Sequence, residues 1–386
     1  MRILIIGDPE SIFIKELVKS CLLPEHHVTV IKLCDDATAD FYRTLGCEVI
    51  SVKPSFLAKI PKIRAYALRA LSLRHTGSNR YDVVHVMQMT QNAVNQVDFE
   101  GRTGSTIITY FGSDLLRADD DTLHAQEYAL DKAAYITVPS NLMNERFHDV
   151  FGDKYDGRLR QLVLETNTLE KISRTLAGES SDAVSNSKKY FGISHDTITI
   201  AIGYNAFPAQ NHIPVITALA ASELAKRGDI MLLLQLTYGD DAPAYVIEIE
   251  DALKKSGFEY KMFFDFMDSD ESLRFRIASD IMIHAQPTDA FSASVREHLA
   301  AGSLVINPRR INYSEYKKAG IFYEEYDSAE ELPAIIQSHI ESGEIRTDNS
   351  DKINKLFPFD RYVSGWRSLY SDTLIFSASN KGNSAL

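Results

Sequence analysis

Cysteine is scarce in this chain of 386 residues. There are three, Cys21, Cys34 and Cys47, all near the N-terminus. Their spacing is neither that of a metal cluster nor that of a redox pair, so they read as reduced thiols in a reducing compartment. Long apolar runs are also missing. None approaches the roughly 18 residues that a membrane-spanning helix needs. The first ten residues read as a strand and an acidic turn, too short for a secretory leader, and the expected location is the cytoplasm. Positive charge is in deficit, 41 Lys and Arg against 53 Asp and Glu, for a net charge of −12. That balance argues against a general nucleic-acid binder.

What remains is an ordinary globular composition, 45% hydrophobic and 24% charged, at a length that implies two domains. Apolar runs alternate with helical patterns. Strands are expected at Arg2–Ile6, His27–Leu33, Cys47–Val52, Tyr81–Val86, Ser105–Tyr110 and Ala134–Val138, with a helix over Ser11–Cys21. The Ser- and Asp-rich stretch Glu179–Lys189 reads as a linker. The pattern then restarts with strands at Thr197–Gly203, Ile230–Leu236, Tyr260–Phe264 and Ile281–His284. Helices are expected at Ile213–Arg227, Glu248–Ser256 and Glu271–Ala278. Continuous Val/Ile runs separated by helices predict an α/β protein with parallel sheets covered on both faces. Ligands of such sheets sit at the carboxyl ends of the strands.

The segment Asp289–Glu297 holds two carboxylates eight positions apart, with a small-residue turn and a helix between them. Gly302 and an apolar strand ending at Ile306 follow. A carboxylate accepts two charge-assisted hydrogen bonds from a vicinal diol, which suits a sugar or a ribose. The same residues also fit a purely structural pattern. Ser294–Glu297 is an S-x-x-E capping box, and Asp289 is a possible turn or cap residue. The order of elements resembles the donor-site signature of GT-B glycosyltransferases of the family 4 type, with Asp where the first acid is usually Glu. The resemblance implies two Rossmann-like domains facing a central cleft. The first would span residues 1–178 and the second 190–359, with a C-terminal helix at about 360–386, around Trp366, packing back on the first. It also implies that Glu297 holds the ribose and Asp289 lies against the transferred sugar. Backbone N–H groups of Ala290, Phe291 and Ser292 would face sugar or phosphate oxygens.

A second constellation, Gly203 to His212, follows a predicted strand and precedes a helix. Gly203 permits close backbone approach and Asn205 a tight turn. Family 4 enzymes usually place an Arg and a Lys here, and this chain has neither between Thr197 and Lys226. The Gly…Asn-His wording resembles bacterial transferases that act on lipid-linked polysaccharide intermediates, of the fucosamine-transferase type. On that resemblance Asn211 and His212 would donate to phosphates, with Arg309 and Arg310 as the nearest candidate cations. The resemblance implies no bound metal and no cofactor. Asp268-Ser269-Asp270, the nearest thing to a metal motif, falls on a predicted loop.

In the first half, Thr109–Asp114 resembles the Gly-x-Asp turn at the carboxyl edge of the first GT-B domain. Asp114 is either an acceptor-orienting group or a helix cap. Gly7 and Ser11 stand where GT-B enzymes approach donor phosphates. His85, ending a strand, reads as a structural histidine before a proton relay. Val49 to Tyr81 contains no Asp or Glu but carries Lys59, Lys62, Arg69 and Arg74 at spacings that put them on one side of a helix. Such a basic amphipathic segment suits an anionic membrane surface.

The resemblance therefore implies a GT-B glycosyltransferase, retaining and metal-independent. It would move a sugar from a nucleoside diphosphate to a carbohydrate or lipid-linked carbohydrate, in bacterial surface polysaccharide synthesis. The expected catalytic residues are Asp289, Asp114 and His212. Nucleic acid is not expected as a partner, and the location is cytoplasmic, with peripheral attachment to the inner face of the membrane. The competing readings are a non-catalytic partner subunit and a nucleotide-sugar epimerase.

Overall fold

A computed structural model of the chain describes all residues except 33–35, 52–60, 77–79, 91–95, 98–103, 180–181, 240–242 and 384–386. Contacts divide it into two units, Met1–Thr166 with Phe359–Leu386, and Asn167–Pro358. The helix Thr168–Glu179, expected with the first domain, belongs to the second unit.

The first unit is built on a seven-stranded sheet: β1 (Arg2–Ile6), β2 (His27–Lys32), β3 (Glu48–Ser51), β4 (Val83–Met87), β5 (Ser105–Thr109), β6 (Tyr135–Val138) and β7 (Leu159–Gln161). Their order is β3-β2-β1-β4-β5-β6-β7, and every neighbouring pair is parallel. β4 and β5 are buried at every position. That is why, His85 apart, their sequences are apolar or Thr/Ser runs instead of alternating ones. The edge strand β3 has no buried position and keeps Glu48 in solvent.

The C-terminal helix Phe359–Asn383 completes this core. Trp366 and Tyr370 are fully buried among Ile3, Ile5, Val28 and Val83. The Trp366 Nε1–H donates to the Val163 carbonyl at 3.0 Å. His85 is sealed beneath the helix, with Nδ1 2.5 Å from the Tyr370 hydroxyl and Nε2 2.6 Å from Thr109 Oγ1. Both nitrogens are engaged and burial pushes its pKa down to about 3, so it is a neutral structural ring.

The second unit has six parallel strands: β8 (Ile198–Ile202), β9 (Ile230–Gln235), β10 (Glu259–Phe263), β11 (Ile281–Ile283), β12 (Leu304–Pro308) and β13 (Glu324–Tyr326). Their order is β10-β9-β8-β11-β12-β13. The chain winds outward from β8 to β10, then returns to β11 on the other side of β8. That reversal opens a crevice between the carboxyl ends of β8 and β11.

Several elements differ from the sequence reading. The expected linker is a helix over Ala183–Tyr190. Its Lys188 is buried, with Nζ 2.6 Å from Asp280 Oδ2 and 2.8 Å from the Thr197 carbonyl. Tertiary pairing thus overrides a composition that favours loops. The helix expected at Ser11–Cys21 starts at Ile12 and widens into π-type turns over Leu17–Leu22. The helix expected at Ile213–Arg227 runs from His212 to Ala220 and gives way to a separate turn at Glu223–Lys226. β7 and β13, three residues each, carry too little pattern to be read from sequence.

Candidate active site

The crevice between β8 and β11 is lined by the two loops singled out in the sequence. Gly203 follows β8 with φ +64°. A Cβ there would meet His212 Nε2 at 2.8 Å and Gln210 Oε1 at 2.9 Å, so only glycine fits without displacement. The loop is then closed by local bonds. Tyr204 N–H donates to Gln210 Oε1 at 3.2 Å, and Asn205 Oδ1 accepts from Phe207 N–H at 3.0 Å. Asn211 takes the left-handed conformation that opens the next helix. Its Nδ2 reaches across to the Ala285 carbonyl at 2.7 Å. From the other side, Gln286 Nε2 donates to the Tyr204 hydroxyl at 2.7 Å, and Tyr204 stacks on His284. The loops after β8 and β11 are therefore one structure.

Asp289 and Glu297 are both largely buried on this edge, 8% and 7% exposed. Asp289 Oδ2 accepts from Ser292 N–H at 2.7 Å and from the Tyr313 hydroxyl at 2.6 Å. Those donors leave Oδ1 outside the bonds. Burial, and then the charge of Asp289, raise the Tyr204 and Tyr313 hydroxyls well above the ordinary tyrosine range. Both stay protonated, and Tyr313 donates to Asp289. Glu297 Oε2 accepts from Arg276 Nε at 3.1 Å, and Arg276 Nη1 donates to Gln235 Oε1 at 2.7 Å. Gln235 ends β9, and the Tyr238 hydroxyl beyond it accepts from Asn205 Nδ2 at 3.2 Å. Each of these side chains comes from the carboxyl end of a strand or from the helix that follows.

No protein-family model matches the sequence, and no curated protein matches it. Solved structures do. HepE of Anabaena, in complex with UDP and glucose, superposes with a TM-score of 0.71 at 16% identity, covering 97% of this chain and 99% of its own. Sucrose-phosphate synthase of Thermosynechococcus elongatus gives 0.72 at 14%, covering 98% and 100%. A UDP-forming α,α-trehalose-phosphate synthase of Burkholderia vietnamiensis gives 0.65 at 7%, covering 97% and 99%. The chain has the GT-B fold.

In this GT-B chain the capping-box reading of Ser294 and Glu297 does not hold. Ser292 is the cap, its Oγ accepting from Val295 N–H at 3.4 Å. Glu297 faces inward to Arg276. The capping box in this unit is Asp268 with Glu271, which also accounts for the Asp268-Ser269-Asp270 segment. The Ser292 amide, expected to face a ligand, is taken by Asp289. Phe291 is buried and its carbonyl accepts from Arg296 Nη1 at 2.6 Å. Ala290 also lies in this turn.

The expected phosphate ligands are placed differently from one another. His212 is fully buried. Its backbone N–H donates to the Tyr245 hydroxyl at 3.2 Å, and its ring lies against Gly203. Burial lowers its pKa to about 4. It is a neutral ring under the loop and supplies no positive charge. The arginine pair splits. Arg309 turns outward to Asp327 at 3.1 Å and Glu325 at 3.3 Å. Arg310 braces the carbonyls of Gln286 and Pro287, at 3.0 and 3.3 Å, just before Asp289.

In the first unit, Asp114 is committed to backbone. Its oxygens accept from Met89 N–H at 2.6 Å, Gly112 N–H at 2.7 Å and Phe111 N–H at 3.1 Å. Burial raises its pKa and these donors oppose the rise. That is the geometry of a loop anchor. A Cβ on Gly7 would press on Ile14 and Met87, and Ser11 starts the helix Ile12–Glu16, its carbonyl accepting from Lys15 N–H at 3.0 Å. Lys59 lies outside the described residues, and Lys62 falls in the helix Pro61–Thr76. On that helix Arg69, Arg74, Ile63 and Tyr66 are exposed while Ser72 and Thr76 are buried. Among the described residues, His148, Asp153 and Asp156 form the one group close enough to hold a metal ion. They are solvent-accessible, and His148 already bonds the Asn144 carbonyl and Asp156. No helix among the described residues is long and apolar enough to cross a membrane.

Sequence reasoning missed Arg276, Gln235, Tyr204 and Tyr313. Only Arg276 left a signal: a cation set between Phe275 and Ile277–Ala278, in a turn that is otherwise apolar.

Proposed function

We propose that this chain is a glycosyltransferase whose donor is a nucleoside diphosphate sugar. The observation that carries the reading is the joining of the Gly203–Asn211 loop to Ala285 and Gln286, in the segment that leads to Asp289 and Glu297, at the crevice between β8 and β11. A uridine diphosphate sugar is the first candidate, because the structural neighbours include one solved with UDP-glucose. Glu297 Oε1 would accept from the ribose and Asp289 Oδ1 from a hydroxyl of the transferred sugar. In the transfer, the bond between the anomeric carbon and the diphosphate oxygen breaks, and an acceptor oxygen bonds the same carbon. The acceptor proton goes to the departing diphosphate, on the same face of the sugar, so configuration is retained. The charge that develops on the diphosphate would meet the positive end of the helix His212–Ala220, whose first amide is held by Tyr245. No metal step is needed in this scheme.

The acceptor is proposed to be a lipid-linked carbohydrate of a bacterial surface polysaccharide, in line with the resemblance to fucosamine-type transferases. What supports it is the helix Pro61–Thr76, where Tyr66 is 74% and Ile63 38% exposed beside Arg69 and Arg74. Aromatic, aliphatic and cationic side chains together fit an anionic bilayer surface. Co-sedimentation with vesicles containing anionic lipid should fall when Arg69 and Arg74 are neutralised. Equal sedimentation of the variant would remove the membrane from the reading.

One observation favours a non-catalytic partner subunit. Arg309 is tied to two carboxylates and Arg310 to two carbonyls. A thermal-shift series with UDP, GDP, TDP and CMP, followed by donor hydrolysis assays, separates the readings. An enzyme is stabilised by one nucleotide and slowly hydrolyses the matching sugar nucleotide. No stabilisation and no hydrolysis would leave the partner-subunit reading standing.

A further inference from the structure

The Arg276–Glu297 pair is an unusual way to present a carboxylate. Side-chain exposures are 6% and 9%, so both charges are out of bulk water. Such a pair is retained only if its geometry is well supported, since desolvation offsets most of the attraction. The support is visible. Nε of Arg276 holds Oε2 of Glu297, and Nη1 is fixed by Gln235 at the end of β9. The guanidinium is held from two elements and cannot swing away without orphaning Glu297.

We infer that Arg276 is a positioning residue for nucleotide recognition. By occupying Oε2 it fixes the Glu297 carboxylate and leaves Oε1 for the ligand, so that the pentose of a nucleoside diphosphate is read by one fixed carboxylate oxygen. This rests on the donor-site reading above. The role differs from a phosphate-binding arginine, because the guanidinium is spent on Glu297 and Gln235.

The electrostatics make the role separable from simple packing. Among the described residues, the ionisable groups that interact with the pair's charges include Tyr238, after β9, and His298, on the same helix as Glu297. Burial raises Tyr238 and, with the charges of Arg276 and Arg346, lowers His298 well below the ordinary range. Both are neutral near physiological pH. The other helices packed on Ala293–Ala300 are Thr168–Glu179 and Ser350–Leu356. They direct Lys171 to Asp270, Arg174 to Glu170 and Lys352 to the Gly320 carbonyl. Without Arg276, Glu297 is a desolvated carboxylate with no counter-ion, and burial then favours its protonated form.

The test is the Kd of UDP by titration calorimetry, or of whichever nucleoside diphosphate the wild-type chain binds, between about pH 8 and about pH 5.5. Arg276→Met is expected to weaken binding at least about tenfold at the acid end, the loss of a hydrogen bond to a charged group. Most of the affinity should return as pH rises. Arg276→Lys keeps a cation and should follow the wild-type profile. The double variant R276M/E297Q should bind weakly at every pH. Arg276→Gln, similar in volume and still a donor, carries the comparison if the Met variant does not fold. A folded Arg276→Met or Arg276→Gln variant with the wild-type Kd and pH profile would overturn the inference alone. A wild-type chain that binds no nucleoside diphosphate would overturn the donor-site reading beneath it.

Discussion

The Tyr313 hydroxyl donates to Asp289 Oδ2 at 2.6 Å, on the same oxygen that takes the Ser292 amide at 2.7 Å. Two donors on one oxygen fix the rotation of a short carboxylate and point the other oxygen in a single direction. A residue one methylene shorter than glutamate thereby gains a defined orientation from its neighbours. Tyr313 is itself packed against Phe291 and Tyr316, so the hydroxyl is placed by an aromatic cluster.

Replacing Tyr313 by Phe should cost about 1–3 kcal/mol of stability, since a buried charge loses a donor while the ring volume is kept. If Asp289 orients the transferred sugar, the variant should bind free UDP as the wild type does and lose turnover. Denaturant midpoints and a comparison of the UDP Kd with kcat would show this. A loss of UDP affinity with kcat intact would instead place Asp289 at the nucleotide.

The two buried histidines predict the response to acid. His212 titrates at about 4 and His85 at about 3 in the folded chain, each depressed by burial from 6.5. A group with a depressed folded pKa binds its proton more readily when unfolded. Its contribution to stability is complete above pH 6.5 and is lost as pH falls toward the folded value. Each ring should therefore remove on the order of 2–3 kcal/mol between neutral pH and about pH 4.5. Urea unfolding of wild type and His85→Gln at both pH values checks the sign. The stability gap between them should narrow in acid, and a gap that widened would show that His85 is charged in the fold.

Legibility in the sequence followed burial. β4, β5, β8 and β12 are covered on both faces, so their apolar runs announced strands to within a residue or two. Asp289, Glu297 and Gly203 stood out in the sequence because their spacing is local to one turn or one helix. Gln235, Arg276 and Tyr313 were not, because each reaches the crevice from a different strand or helix. Their roles exist only once the strand order β10-β9-β8-β11-β12-β13 is known. The same cause explains Lys188. Its partner Asp280 is 92 positions away, and nothing near it in the chain marks the stretch as anything but a linker. His212 shows the converse. Its place before a helix suggested a ligand, and the fold turned the ring inward.

Gly203 offers the sharpest test of how tightly the β8 loop is built. Its φ of +64° strains any L side chain, and a Cβ would stand 2.8 Å from His212 Nε2 and 2.9 Å from Gln210 Oε1. Gly203→Ala should lose about 1–3 kcal/mol from the dihedral and the overlap together. The two causes separate in a double-mutant cycle. His212→Ala removes the ring that the new methyl would strike, and Gly203→Ala in that background should cost less, leaving the dihedral strain and the contact with Gln210. A positive coupling between the two sites, measured from urea midpoints, would show that the histidine serves as the floor of the loop. Equal cost of Gly203→Ala in both backgrounds would mean that the loop yields to the methyl elsewhere, and that the close approach of ring and glycine does not set its shape.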